Sequence, residues 1–324
     1  MAFRRRFKTS HAAAGHGFPC LPPGCIIIIG EKISSEGVSR YFQALTVFPP
    51  RETGSETERQ GKPSTGGNAV TQQNVQTVKE RFRLSGNALK VIAIIAMTID
   101  HIAWMGIEEY SQAEVPLQIF LHCIGRLTAP IMFYFAAEGY HHTHDFRKYL
   151  GRMALLAVVS HFAFCYFAQP SFNPFENQLF NATSIAWPLM WGLILLRVWD
   201  SEKLETWLKV LITVTACVLT ITSDWSCAAP LAILMVGRSR GNFCKQMLWL
   251  MAITTLYAVA FFIFNNPTYG MVHMACWLTV PLLSLYNGQR GKARWLGKFF
   301  YWYYPAHMAL IGLIIHVFPS GLVH

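Results

Sequence analysis

The chain has 324 residues, a formal net charge of +10, 53% hydrophobic residues and only 14% charged ones, with a mean hydropathy of +0.31. That charged fraction is far below the roughly 25% of a soluble domain, which excludes an ordinary soluble enzyme. No nucleic-acid motif accompanies the basic balance, so we read it as cytoplasmic loops facing anionic lipid and expect no nucleic-acid partner.

Residues 1–80 are rich in Arg, Gly, Ser, Thr, Gln and Pro, and their longest apolar run is Ile26 to Ile29. Four residues are too few for a signal-peptide core. Residues 1–84 therefore read as a disordered cytoplasmic tail, or as an over-extended gene start. Cys20 and Cys25 lie there without a partner pair. The eight Cys of the chain form neither a disulfide framework nor a paired zinc signature.

From Leu84 onward the chain is a succession of apolar segments, and the fold class expected is an all-α polytopic membrane bundle of about nine spans. Their expected bounds are 89–107, 116–137, 150–168, 184–198, 207–222, 226–237, 247–264, 271–286 and 298–317. Several fall short of the ~20 residues that a straight span needs, and 226–237, with Pro230, is the weakest. Basic residues support the division. Arg147, Lys148 and Arg152 follow span two, and Arg197, Lys203 and Lys209 follow span four. Arg238, Arg240 and Lys245 follow span six, and Arg290, Lys292, Arg294 and Lys298 follow span eight. The alternate loops, 108–115, 169–183, 223–225, 265–270 and 318–324, have no Lys or Arg. This alternation predicts the N-terminus inside and the C-terminus outside.

Ionisable residues at bilayer depth are expensive, and their default reading is functional. His101 lies eleven residues after Lys90 in the first span. At ~100° per residue the two share a face, with Lys90 at the surface and His101 near the midplane. Arg126 lies about a dozen residues into span two, His161 nine after Arg152, and His307 nine after Lys298. These counts place Asp100, His101, Arg126, His161 and His307 at one level. Pro130 cannot donate to the carbonyl of Arg126, so span two is expected to open there. Adjacent helical residues diverge by ~100°. Asp100 is thus expected to pair with Arg126 across helices, leaving His101 to face a cavity as general base or transient acyl carrier. The alternative is a purely structural pair beside a histidine bonded to a backbone carbonyl.

Lys90, behind Ser85 and Asn87, is a candidate phosphate ligand as well as an ordinary positive-inside anchor. Glu138 begins a polar rim that runs through His141, His142 and His144, whose spacing does not suggest a metal, and none is expected. Trp225 reads as an interface anchor and Asp224 as facing water, with substrate binding from outside the alternative. Tyr304 is a candidate hydroxyl donor to His307. His273 and His316 read as lying near the outer surface with no special role.

Leu89 to Ile102, ending in Asp100-His101-Ile102, resembles the first membrane helix of the TraX family. So do Gly125-Arg126 with Pro130 and Phe133, then Glu138-Gly139-Tyr140, and His142-Thr143. Tyr304-Pro305-Ala306-His307 with Leu310 resembles its last helix. The Lys90-to-His101 spacing also looks like the basic-x10-His motif of the membrane acyltransferase-3 superfamily. The resemblance makes 85–324 a transmembrane acyltransferase domain of a bacterial inner membrane. It implies acetyl-CoA as cosubstrate and the N-terminal amine of pilin, or another envelope acceptor, as partner. His101, Asp100 and Arg126 would then be catalytic, with His307, Tyr304, His161 and Glu138 in support and Lys90, Arg147 and Lys148 at the CoA phosphates. A transporter using the same midplane cluster is the alternative, and internal repeats that would favour it are not evident.

Overall fold

The computed structural model describes residues 83–103, 115–168, 183–293 and 295–317. The expected tail up to residue 82 lies outside them, as do most of the loops without Lys or Arg, at 104–114, 169–182 and 318–324. Every regular element among the described residues is helical. In chain order these are α1 (Gly86–Ala103), α2 (Val115–Gly125), α3 (Thr128–His142), α4 (Phe146–Ala168), α5 (Ala186–Trp199) and α6 (Thr206–Thr220). Then come α7 (Ala228–Arg238), α8 (Phe243–Phe264), α9 (Pro267–His273), a 3-10 turn (Met274–Leu278), α10 (Thr279–Ser284) and α11 (Leu296–Val317).

Four helical stretches, Gly86–Ala103, Pro116–His142, Phe146–Ala168 and Phe243–Phe264, are long and apolar enough to cross a membrane. Ala186–Trp199, Thr206–Thr220 and Ala228–Arg238 are apolar but shorter. The side-chain distribution is that of a membrane bundle. Large apolar residues point outward, among them Trp207, Val214 and Val218 on α6 and Leu248, Leu256 and Ile263 on α8, all more than half exposed. Small residues line the interior, including Ala93, Ala96, Ala129, Ala137, Ala216, Ala229 and Ala232. Lipid gives no hydrophobic drive for helices to associate, so close backbone approach through small residues has to supply the contact. Gly192 of α5 lies against Ile233 of α7, and Gly237 lies against Leu196 in return.

Local sequence explains the breaks. Pro130 separates α2 from α3. Pro230 is tolerated because α7 starts at Ala228, so the missing N–H falls in the first turn, where it would have no helical partner. The segment expected as one span over 271–286 is instead three short pieces. Asn266 Oδ1 accepts from the amides of Thr268 (2.9 Å) and Tyr269 (3.2 Å) and starts α9, with Pro267 in its first turn. Gly270 then packs on the backbone of Phe262, so α9 folds back along the end of α8. The 3-10 turn tightens the chain before α10, and His273 ends up inside.

The segments rich in Lys and Arg meet one another. Tyr140 OH donates to Asp200 (2.7 Å), and His141 is bonded to the Gly237 carbonyl (3.0 Å). Arg238 covers the Trp199 ring at 5.0 Å, and Arg197 lies 5.9 Å from Phe146. The chain between α10 and α11 clasps the start of α1. Gly86 N donates to Gln289 O (2.8 Å), Asn87 N to Arg290 O (2.9 Å), and Asn87 Nδ2 to Ala293 O (2.9 Å). Gly291 makes this turn possible. Its φ is +97°, and a Cβ there would meet Ser85 Oγ at 2.9 Å.

Gly312 of α11 gives a direct test of this packing. A Cβ there would meet Phe167 Cα and Tyr166 O, both at 3.0 Å, and backbone cannot rotate aside. Gly312→Val is expected to destabilise the protein by about 1–3 kcal/mol, read as a lowered thermal midpoint in detergent. Gly151→Ala, with nothing within 4 Å, leaves the midpoint unchanged or slightly raised.

Candidate active site

The site begins at the break that Pro130 enforces. Arg126 N still bonds His122 O (3.1 Å) and Leu127 N bonds Ile124 O (3.2 Å), and α3 restarts at Thr128. The Arg126 carbonyl, which has lost its helical donor, accepts from Cys276 Sγ at 3.4 Å. Thr128 Oγ1 donates to the Ala93 carbonyl (3.0 Å), tying the restart to α1. The opened turn turns the guanidinium inward, against α1 and α9.

Asp100 is the hub. Its Oδ1 and Oδ2 accept from Arg126 Nη2 at 3.1 and 3.0 Å, and Oδ1 also accepts from His122 Nδ1 at 2.7 Å. The cross-helix pair expected from the sequence is therefore present, with a histidine added. Gly125 permits it, because any Cβ at that position would overlap the Asp100 side chain. Arg126 Nη1 reaches His273 Nε2 at 3.1 Å, and His273 Nδ1 lies 2.6 Å from the Tyr269 carbonyl. A carbonyl only accepts, so His273 carries its proton on Nδ1 and receives the guanidinium N–H on Nε2 as a neutral ring. Two unit charges thus cancel, and His273 uses both of its ring nitrogens. The guanidinium Nε is sealed from solvent without a partner among the described residues.

His101 faces the other way, toward α11. Its Nδ1 lies 2.7 Å from His307 Nε2, and His307 Nδ1 lies 2.9 Å from the Tyr303 carbonyl. The same reasoning fixes the protons of the neutral rings. His307 donates Nδ1–H to the carbonyl, His101 donates Nδ1–H to His307, and His101 Nε2 keeps its lone pair. That nitrogen has no hydrogen bond among the described residues. The rings stack at 5.0 Å, and Tyr303 stacks on His307 at 5.0 Å. One turn earlier, Tyr303 OH meets Thr98 Oγ1 at 2.6 Å, so two side-chain pairs hold α1 to α11 in register.

The other expected residues are dispersed. His161 Nε2 contacts Cys165 Sγ at 3.8 Å on its own helix, and no hydrogen bond links it to the hub. Counting depth places a residue along the axis but not around it. Glu138 is at the basic end, 3.1 Å from His142 and 3.8 Å from Arg240. Tyr304 is 5.6 Å from the His307 ring. Lys90 Nζ lies 5.1 Å from the Phe135 ring centroid, within charge range of Arg290 and with no carboxylate partner among the described residues. The first amides of α1 are already bonded to the clasp, so any anion binding there falls to these side chains. Lys148 is paired with Asp145 (3.2 Å), whose carboxyl is held below its usual range by the Lys148 amide. Arg147 is exposed.

His122 and His273 were missed. His122 lies four residues before Arg126, hence on the same helical face, which was a usable signal. His273 was read as lying near the surface but is 4% exposed, because the α9 turn folds it in. Trp225 is likewise no interface anchor. It is 4% exposed, stacked on Tyr257 at 4.9 Å and edge-on to His273 at 5.4 Å.

Removing one member of a buried pair strands the other charge, at a cost of about 3–5 kcal/mol. Asp100→Asn and Arg126→Gln should each lower the thermal midpoint strongly, and the double variant should fall well short of their sum. Simple additivity would show that the pair is not coupled.

Comparison with known proteins places the chain beside pilus-related sequences by name. A probable fimbrial assembly protein FimC of serogroup H1 from Dichelobacter nodosus is 29% identical over 237 residues, covering 69% of this chain and 92% of the relative. No solved structure matches the chain. The family described as TraX protein matches residues 85–315, from the start of α1 to within two residues of the end of α11, and the chain belongs to that family.

Proposed function

We propose that the chain is an acetyltransferase of the bacterial inner membrane, moving an acetyl group from cytoplasmic acetyl-CoA to the N-terminal amine of pilin or another envelope acceptor. Its termini lie inside (N) and outside (C), with about nine crossings between them. The observation that carries the reading is the hydrogen-bond chain from the Tyr303 carbonyl through His307 to His101, which with both rings neutral leaves His101 Nε2 as an unprotonated base. A thioester is already activated. Acyl transfer then needs mainly a base for the amine and somewhere for the thiolate's proton to come from.

His101 meets both needs. Its Nε2 takes a proton from the amine as the nitrogen bonds to the thioester carbon, and returns it to sulfur as the C–S bond breaks. The products are an amide and a free thiol, and the second proton of the original ammonium leaves to water. His307 keeps the ring in the required tautomer and accepts hydrogen-bond density from the imidazolium that forms transiently. Asp100 and Arg126 act through geometry, fixing α1 against α2 so that His101 cannot rotate. At the basic end, Lys90 and Arg290 present two cations with no carboxylate partner for Lys90 among the described residues, which suits CoA phosphates. Arg147 and Lys148 extend that basic face. The FimC relative's name, a fimbrial assembly protein, supports an acceptor of the pilin kind.

Membranes containing the protein, given labelled acetyl-CoA and a free-amine peptide, should label the peptide. His101→Ala should lower kcat by roughly 10²–10⁴-fold while the thermal midpoint stays near wild type. His307→Ala should fall between the two. Lys90→Gln should instead raise the KM for acetyl-CoA by about tenfold, the size expected for loss of one charge-assisted contact. Equal labelling by wild type and His101→Ala would remove the base from His101.

A further inference from the structure

Asp224 is unlike the other charged residues of the helical unit. It lies in the turn between α6 and α7, it is exposed, and its charge acts on Arg126, Asp100, Tyr257 and Tyr304. Those four residues belong to α2–α3, α1, α8 and α11. A carboxylate that feels all of them is within the bundle's own field; part of the residue's surface is exposed, while the surrounding protein desolvates the carboxyl and pushes it up to about 6. Among the described residues it forms no ion pair. Arg126 cannot serve as its counter-ion, because Asp100 already holds the guanidinium by two hydrogen bonds.

The turn that carries Asp224 is held in an unfavourable conformation. Trp225 and Ser226 have φ of 64° and 45°, and such values are uncommon outside glycine. Strain of this kind persists only where the surroundings over-determine it. Here they do. The Trp225 ring is locked among Tyr257 (4.9 Å), His273 (5.4 Å) and Phe133 (5.6 Å). Asp224 N donates to Thr183 O (3.0 Å), Ser226 N to Ser223 O (2.8 Å), and Ala228 N to Trp225 O (3.1 Å). His273 in that cage is the residue bonded to Arg126, so the turn is braced on the Asp100 hub itself. A solvated surface loop would need none of this. The net result is one fixed carboxylate, hydrogen-bonded to the Trp225 backbone and without an ion-pair partner among the described residues, beside a neutralised ion pair at the end of the bundle whose loops lack Lys and Arg.

We infer that Asp224 is the carboxylate that receives the acceptor, binding the ammonium group of a peptide N-terminus. This rests on the acetyltransferase reading for the identity of the second substrate, but the ammonium site stands on its own geometry. A primary ammonium fits better than a guanidinium or a bare metal ion. It brings a single charge with three donors, which suits a carboxylate that has no cation of its own among the described residues, and no group of His, Cys, Asp or Glu among the described residues is suited to a metal. Acetylation removes that charge and two of the donors, so the product no longer matches the site and leaves.

The test separates the site from the chemistry. Detergent-purified full-length protein is titrated, without acetyl-CoA, with a fluorescent peptide bearing a free N-terminal alanine and with its N-acetylated twin. Wild type should prefer the free amine by about tenfold or more. Asp224→Asn should abolish the preference at an unchanged thermal midpoint, and Asp224→Glu should recover part of it. No preference in wild type, or a preference that survives in Asp224→Asn, overturns the inference. In the transfer assay the same Asp224→Asn protein should show a raised KM for the peptide with the KM for acetyl-CoA unchanged. An Asp224-dependent preference for the amine without any acetyl transfer would keep the ammonium site and reject the acetyltransferase reading.

Discussion

The structure depends on a buried arginine that needs a carboxylate. Arg126 sits at an opened turn inside a membrane bundle, where an unpaired charge is not tolerated, and Asp100 neutralises it with two hydrogen bonds. Three structural features follow from that need. Gly125 must be glycine so that α2 can approach the carboxylate, Cys276 must cover the carbonyl that Pro130 abandons, and His122 and His273 must fill the remaining hydrogen bonds. The first three helical segments and the folded-back α9 are thereby fixed around one point. His101, one residue from the hub, inherits this rigidity while pointing to a different neighbour.

Two histidine systems result, with opposite character. His122 Nδ1 is directed at Asp100 and the two His273 nitrogens at Arg126 and a carbonyl, and both rings serve the ion pair. His101 and His307 form a directed chain that ends in a lone pair. The difference arises from a 100° step along α1, which sends Asp100 toward α2 and His101 toward α11. A single helix thus separates the group that holds the bundle together from the histidine proposed as the base. Asp224 adds a third element from the far side of the hub. Its turn is braced by Trp225 against His273, so the proposed amine site and the proposed base share one scaffold.

Much of this was legible in the sequence, for identifiable reasons. The helical class and most segment positions followed from apolar runs punctuated by basic clusters. The opening at Arg126 followed from Pro130, and the Asp100–Arg126 pair followed from the expense of isolated charges at one depth. The limits were equally physical. Depth counting fixes axial position alone, so it grouped His161 with residues on which its side chain does not converge. The 271–286 segment looked continuous because its hydropathy is uniform. Its interruption depends on Asn266 capping, on Gly270 packing against Phe262 and on the 3-10 turn, and without that fold-back His273 reads as a surface residue. Trp225 was misread because the interface rule for tryptophan assumes a turn that faces lipid, and this one re-enters the protein.

The central claim is that His101 Nε2 serves as the base for acetyl transfer from acetyl-CoA to an amine. Mass spectrometry of a free-amine peptide, incubated with purified protein and acetyl-CoA, tests it most directly when free thiol is counted in the same sample. The account predicts that wild type yields singly N-acetylated peptide and thiol in equal amounts, with both nearly absent for folded His101→Ala protein. Acetylated peptide produced equally by the two proteins, or by neither, would contradict it.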